Sequence, residues 1–289
     1  MASLFPRCLP ALVLSLLAAV FARADVLFDN GPFITDPTGG TGSIAGLPIS
    51  QAEGFTLPGS SYVYSTTGIS ATYADNAAVA EDFVVPAGGW DLDSVTLFAF
   101  QTSQTTPTIE TIRINLWTAA PYSAGSPPPV PDPLPQPMMA EPLVLEAGPG
   151  AFVCHRESVS GTSTVRPVYA YTVSLDGLPN GGVLEPGEYW LEWSMIGAET
   201  PTPRCWIPLV TPRAEAFNTN ARLFNSIDGT PSGPREWFEG REGYFPPESE
   251  GWPYALPFIL NGTVPEPATL TTLAAGMALV VLRRAAERR

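Results

Sequence analysis

Glu188-Tyr-Trp-Leu-Glu-Trp-Ser-Met195 is the stretch on which the fold turns. Its side chains alternate with a period of two, the period of a strand with one face toward a core. Tyr189, Leu191, Trp193 and Met195 share one face, and we assign that face to the core. Glu188, Trp190 and Glu192 share the other. Thr111-Ile-Arg-Ile-Asn-Leu-Trp117 repeats the pattern, with Ile112, Ile114 and Leu116 on one side and Arg113, Asn115 and Trp117 on the other.

Working outward, further short runs of β-branched and aromatic residues predict strands at 69–74, 80–85, 92–101, 143–146, 167–175, 205–210, 221–227 and 256–261. Turn residues punctuate them: Pro86-Ala-Gly-Gly89, Asp176-Gly177, Asn180-Gly-Gly182 and Asp228-Gly229. Helical periodicity is almost absent from the body, and no repeat of fixed period is visible. The pattern predicts an all-β, two-sheet β-sandwich, jelly-roll-like. The segment 127–137 holds seven prolines in eleven residues, which predicts an extended surface loop within one domain rather than a linker.

Charge is distributed unevenly. All 14 basic residues are arginine, and residues 25–264 hold 26 acids and 8 arginines, a net −18. A body this acidic repels nucleic acid, and the charge keeps it soluble. Gly and Pro, 26 and 33 of 289 residues, mark a turn-rich chain without reaching the range of disordered low-complexity sequences.

The two ends differ from the body. Arg7, an apolar run from Leu9 to Phe21, and Ala22-Arg23-Ala24 form a signal peptide with an A-x-A cleavage site at Ala22 and Ala24. The mature chain then starts at Asp25. At the other end, Val264-Pro265-Glu266-Pro267 leads into 15 apolar residues, 268–282, followed by Arg283, Arg284, Arg288 and Arg289. Such a run predicts a short transmembrane helix with snorkelling arginines kept cytoplasmic and the body outside. The domains are therefore 1–24 (signal helix), 25–263 (β-sandwich) and 264–289 (anchor).

This tail resembles the PEP-CTERM sorting domain, on Pro265, Glu266 and Pro267, the apolar run and the basic stop at Arg283, Arg284, Arg288 and Arg289. The resemblance covers about the last 25 residues. Tails of this kind also carry a label borrowed from ice-binding proteins, which describes the tail alone. The resemblance implies recognition by an exosortase, a membrane-embedded transpeptidase-like enzyme. It also implies processing near Pro265-Glu266-Pro267 and a Gram-negative, exopolysaccharide-making host.

Chemistry is sparse in the body. Cys154 and Cys205 remain after signal removal, and an even pair in an exported chain predicts a disulfide. Closing its loop of about 50 residues would contribute roughly 4 kcal/mol. His155 is the one histidine and adjoins Cys154, but neighbours on a strand point to opposite faces and form no dyad. One His and two Cys are too few for zinc. Glu188 and Glu192 lie about 13 Å apart on one strand, too far for the paired carboxylates of glycoside hydrolysis. We expect no cofactor; the acids Asp75, Glu81, Asp82, Asp91 and Asp93 read as solvated loop charges, with Ca²⁺ coordination as the alternative.

Seven tryptophans lie in the body, and an exposed indole stacks on the C–H face of a sugar. Trp190, Trp206, Trp237 and Trp252 are the candidates, Trp237 and Trp252 standing in Gly/Pro/Glu-rich surroundings. The reading is an exported, non-enzymatic protein of the cell surface or extracellular matrix, anchored by its tail and contacting polysaccharide. A secreted carbohydrate-active enzyme with a carboxylate site is the alternative.

Overall fold

The computed structural model describes residues 24–51, 68–122, 134–157, 166–198, 204–210, 221–226, 235–239, 241–242, 252–253 and 255–265. Residues 1–23 of the expected signal peptide and the tail beyond Pro265 lie outside them. Among the described residues no helix is long and apolar enough to cross a membrane.

Nearly all regular structure is strand. In chain order the first strands are β1 (Asp25–Asp29), β2 (Ile49–Gln51), β3 (Ile69–Ser70), β4 (Ala78–Val85), β5 (Trp90–Ala99) and β6 (Ile109–Trp117). Next come β7 (Leu143–Glu146), β8 (Ala151–Glu157), β9 (Pro167–Ser174), β10 (Val183–Leu184), β11 (Gly187–Gly197) and β12 (Trp206–Ile207). The last are β13 (Arg222–Ser226), β14 (Arg235–Glu239), β15 (Arg241–Glu242), β16 (Trp252–Pro253) and β17 (Phe258–Thr263).

Two large sheets hold most of them. The first runs β1-β17-β5-β9-β8-β2, with β10 alongside β5; the second runs β14-β13-β4-β11-β6-β7. Pairing is antiparallel except between β2 and β8. The sheets meet across one core, to which β5, β9 and β17 supply Val95, Leu97, Tyr171, Val173, Phe258 and Leu260, and β4, β6 and β11 supply Val79, Phe83, Ile112, Ile114, Leu191 and Trp193. The alternation expected in β6 and β11 is therefore the observed one. Ile112, Ile114, Leu116, Leu191, Trp193 and Met195 are fully buried, and Tyr189 packs against them at the rim.

Local chemistry sets the joints. The turn at Pro86–Gly89 closes with the Gly89 N–H on the Pro86 carbonyl at 3.1 Å and carries the chain from β4 in one sheet to β5 in the other. The β5–β17 register slips between Asn261 and Gly262, so that Ser94 and Leu92 are the successive partners. The extra residue at this bulge lets Trp90 and Leu92 face the same core as Val95 and Leu97. Gly262 sits at the slip, where a Cβ would collide with the Asp91 carbonyl. Residues 127–133 of the expected proline-rich loop lie outside the described residues; β7, the next strand, pairs with β6 from Thr111–Glu146 to Ile114–Leu143.

The expected disulfide is not formed. Cys154 and Cys205 are both buried and unbridged. Cys154 pairs with Val168 and packs with Phe98, Phe100 and Val168 on the outer side of the first sheet. Phe100 bridges to Trp206, which lies against that same outer cluster. Cys205 is the next residue along and points the other way, into the main core. The thiols thus occupy opposite faces about three strands apart, roughly 14 Å at ~4.8 Å per strand, beyond the ~7 Å Cα limit for a bridge.

Three outcomes test this arrangement. Burial pushes both thiols up to about 12, so neither should react with a thiol reagent at pH 8 in the folded chain. Unfolding without reductant should release two thiols from a chain lacking residues 1–24; release of none would establish a bridge. Phe258→Ala should lower stability by about 3–5 kcal/mol in a urea titration, because its ring lies 5.2–6.2 Å from those of Phe28, Trp193 and Phe83.

Candidate functional site

The outer face of the second sheet carries the polar and aromatic residues that the sequence pointed outward. Register places Trp190 opposite Trp117, Glu192 between Ala80 and Asn115, and Ser194 opposite Arg113. On the far side of β4, Arg222 stands opposite Ala80 and Phe224 opposite Ala78.

This face is divided in two. Over its upper half the aromatics bury one another. Trp117, Trp190 and Trp237 form a cluster with Ala78 and Ala80, Trp117 and Trp237 meeting edge to face at 6.0 Å. The buried Arg222 guanidinium lies 4.5 Å over the Tyr122 ring and 5.7 Å from that of Trp190, and its Nη2 donates to the Tyr122 hydroxyl at 2.7 Å. Trp190 is 0% exposed and Trp237 7%. Neither is a sugar-stacking platform, because a second core has formed on the side of the sheet away from the first. Trp206 is half-buried against the outer cluster of the first sheet. The Trp252 side chain lies outside the described residues.

Over the lower half a cleft of about 110 Å³ opens. Its origin is steric. On this face β4 contributes only alanine at 78 and 80, with Ala77 just before it, between the tall side chains of Phe224 on one flank and Glu192 on the other. Tyr73 and Asn76 close one side from the short 3₁₀ turn Tyr73–Asp75, which Asn76 ends in the left-handed conformation at φ 52°. Pro142, just before β7, also lines it.

Three polar side chains of the sheet turn into this space: Arg113, Glu192 and Ser194. The Arg113 guanidinium carbon lies 4.2 Å over the Tyr73 ring. Glu192 accepts a hydrogen bond from the Trp117 indole Nε1 at 2.7 Å, which ties the cleft to the aromatic cluster. Burial pushes the Glu192 carboxyl above its ordinary range; the Trp117 N–H and the nearby Arg113 charge pull it back only in part. Glu188, one turn of the pleat away, accepts from Trp190 Nε1 at 3.3 Å.

The other singled-out residues are not gathered into a site. Among the described residues no group of three or more His, Cys, Asp or Glu is placed to hold a metal ion. Glu81, expected as a loop charge, is instead fully buried in β4, its Oε2 accepting the Leu256 backbone N–H at 2.7 Å. Asp75 forms an exposed ion pair with Arg204 at 3.2 Å. His155 lies in β8, and burial lowers its pKa. Of the cleft, Glu192 had been noted as an outward acid and Arg113 as an outward base. What no single strand reveals is that β6 and β11 are neighbours.

Glu192 couples the cleft to stability. Its folded pKa is raised, so the folded state holds the proton to higher pH than the unfolded chain. The stabilisation linked to that proton is complete below the ordinary value of about 4.3 and is lost as pH rises through the raised value. Glu192→Gln, which keeps an acceptor for Trp117, should therefore unfold at a higher urea midpoint than the parent at pH 7. The gap should close near pH 4; a variant less stable at pH 7 would contradict it.

The chain matches no family model, no curated protein and no solved structure.

Proposed function

We propose that this chain is an exported, tail-anchored protein of the cell surface or extracellular matrix, non-enzymatic, with a jelly-roll body that contacts carbohydrate. One observation carries the export and anchoring. β1 opens at Asp25, the residue after Ala22-Arg23-Ala24, and β17 closes at Thr263, two residues before Pro265-Glu266-Pro267. The folded body fills the interval between the two trafficking segments. Moreover β1 and β17 pair with each other, Asp25 opposite Gly262, so both ends leave from one edge. A body held by its tail then presents that edge to the bilayer and its remaining surface to the exterior.

The jelly-roll assignment is supported by strand order. Eight strands, β1, β4, β5, β6, β7, β9, β11 and β17, numbered one to eight, fall in the orders 1-8-3-6 and 2-7-4-5. That is the interleaving of two Greek keys. The remaining strands extend the sheets or close their ends.

In this reading an exosortase recognises Pro265, Glu266 and Pro267 in an inner-membrane intermediate of a Gram-negative host, with Arg283, Arg284, Arg288 and Arg289 in the cytoplasm. The body's charge of −18 disfavours nucleic acid as a partner. One observation favours the enzymatic alternative, the raised pKa of Glu192, which suits a general acid. Glycoside hydrolysis requires a second carboxylate roughly 5–9.5 Å away. Among the described residues lining the cleft Glu192 is the one acid.

Fractionation of producing cells tests the anchoring. The parent should appear at the surface without its arginine-rich end. A variant with Pro265→Ala and Glu266→Ala should stay in the inner membrane with that end intact. Parent protein found in the cytosol with residues 1–24 attached would refute the proposal.

A further inference from the structure

We propose that the cleft between Arg113, Glu192 and Tyr73 binds the hydroxyl-bearing edge of a neutral saccharide. This deepens the carbohydrate clause above and rests on it, while standing apart from the tail.

The case begins with polar groups that the protein leaves unused. Arg113 is half-buried, yet its guanidinium makes no hydrogen bond or ion pair among the described residues; it lies over the Tyr73 ring, near enough to Glu192 for its charge to be felt there. The Ser194 hydroxyl is buried in the cleft floor and has no protein hydrogen bond among the described residues. Glu192, which lines the cleft, gives one oxygen, Oε2, to Trp117, while Oε1 accepts no hydrogen bond among the described residues. A half-buried donor fork, a hydroxyl and a carboxylate oxygen therefore converge on one small space. These groups still reach solvent through the cleft mouth, so a ligand hydroxyl can take the place of water on them.

Charge narrows the ligand class. Arg113 and Glu192 carry opposite charges in the same cleft, so a cation meets the guanidinium and an anion meets the carboxylate. The pair suits a neutral group that accepts from Arg113 and donates to Glu192. A hydroxyl does both, and adjacent ring hydroxyls present the two functions side by side. Phe224, Pro142 and Ala78 line the space with apolar surface, against which the C–H face of a ring can pack. A volume of about 110 Å³ admits the edge of one ring rather than a chain, being about four times a water's ~30 Å³ share of the liquid.

The test uses the full chain in a detergent without a sugar headgroup. Methyl glycosides of glucose, galactose and mannose are titrated calorimetrically, with glucuronate as the anionic probe and glucosamine as the cationic one. At least one neutral glycoside should bind, at least tenfold more weakly to Arg113→Met and at least threefold more weakly to Glu192→Gln. Ser194→Ala, which removes only a hydroxyl, serves as a third variant, with a weakening of at least twofold. Thermal melting checks that each variant folds. No binding of any neutral glycoside overturns the proposal, as does binding that all three variants leave unchanged, which would place the sugar elsewhere on the body. Preference for glucuronate that vanishes in Arg113→Met would make the cleft an anion site and overturn it too. Fractionation of cells making Arg113→Met keeps the two readings separate: lost binding with normal surface location isolates the cleft, and wrong location of the parent fails the anchoring alone.

Discussion

Closure of the core by the last strand is the constraint from which the rest of the fold follows. β17 lies between β1 and β5, and its Phe258 reaches across to Phe83 and Trp193 of the opposite sheet. Its approach is pinned from both sides. The Glu81 carboxylate, deep in β4, accepts the Leu256 N–H, and the Asn30 side chain donates to the Leu256 carbonyl at 2.8 Å. A buried carboxylate and a buried amide are costly unless each is hydrogen-bonded. Here they fasten the entry into a strand that its ladders to β1 and β5 then hold along its length.

The second sheet repeats this economy on its outer side. A sheet covered on one face normally turns charged residues to water on the other. This one lays Trp117, Trp190 and Trp237 over the alanines of β4 and covers them with Arg222 and Tyr122. The alanines have two consequences. Where indoles reach over them they make a close-packed second core; where no indole reaches, the same small side chains leave the cleft between Phe224 and Glu192. The Trp117–Glu192 hydrogen bond joins the two halves, so the carboxylate that lines the cleft is positioned by the packed aromatics beside it.

Legibility in the sequence followed periodicity. Strands with clean alternation, β6 and β11, could be read residue by residue, including which side chains meet the core. β5 could be located but not resolved, because its bulge shifts the inward set from Trp90 and Leu92 to Val95 and Leu97 within one strand. The edge strands β1 and β2, and β8 beside β2, escaped because three to seven residues with mixed burial carry little periodic signal. Residues 69–74 and 205–210 were expected as longer strands; Tyr73–Asp75 forms a 3₁₀ turn and only Trp206–Ile207 pairs. Site residues were harder still. Outward tryptophans look exposed until a neighbouring strand supplies Trp237 and Phe224, and two cysteines look like a bridge until register sends them to opposite faces. Both misreadings have one cause, that pairing across strands is a non-local property.

The same non-local pairing orders events along the chain. β1 has β17 as its neighbour in the first sheet and lies at the sheet edge. It is the first strand of the body made and the last to find its partner, since β17 is the final element before the tail. Contacts of such sequence separation form late, after the loop-closure entropy of nearly the whole body has been met. Until then Asp25 has no partner strand in the sheet. Once β17 docks, Asp25 is paired against Gly262 and the edge is sealed. In the proposed reading, a leader at residues 1–24 would be removed before the body closes, and closure would follow once β17 has emerged.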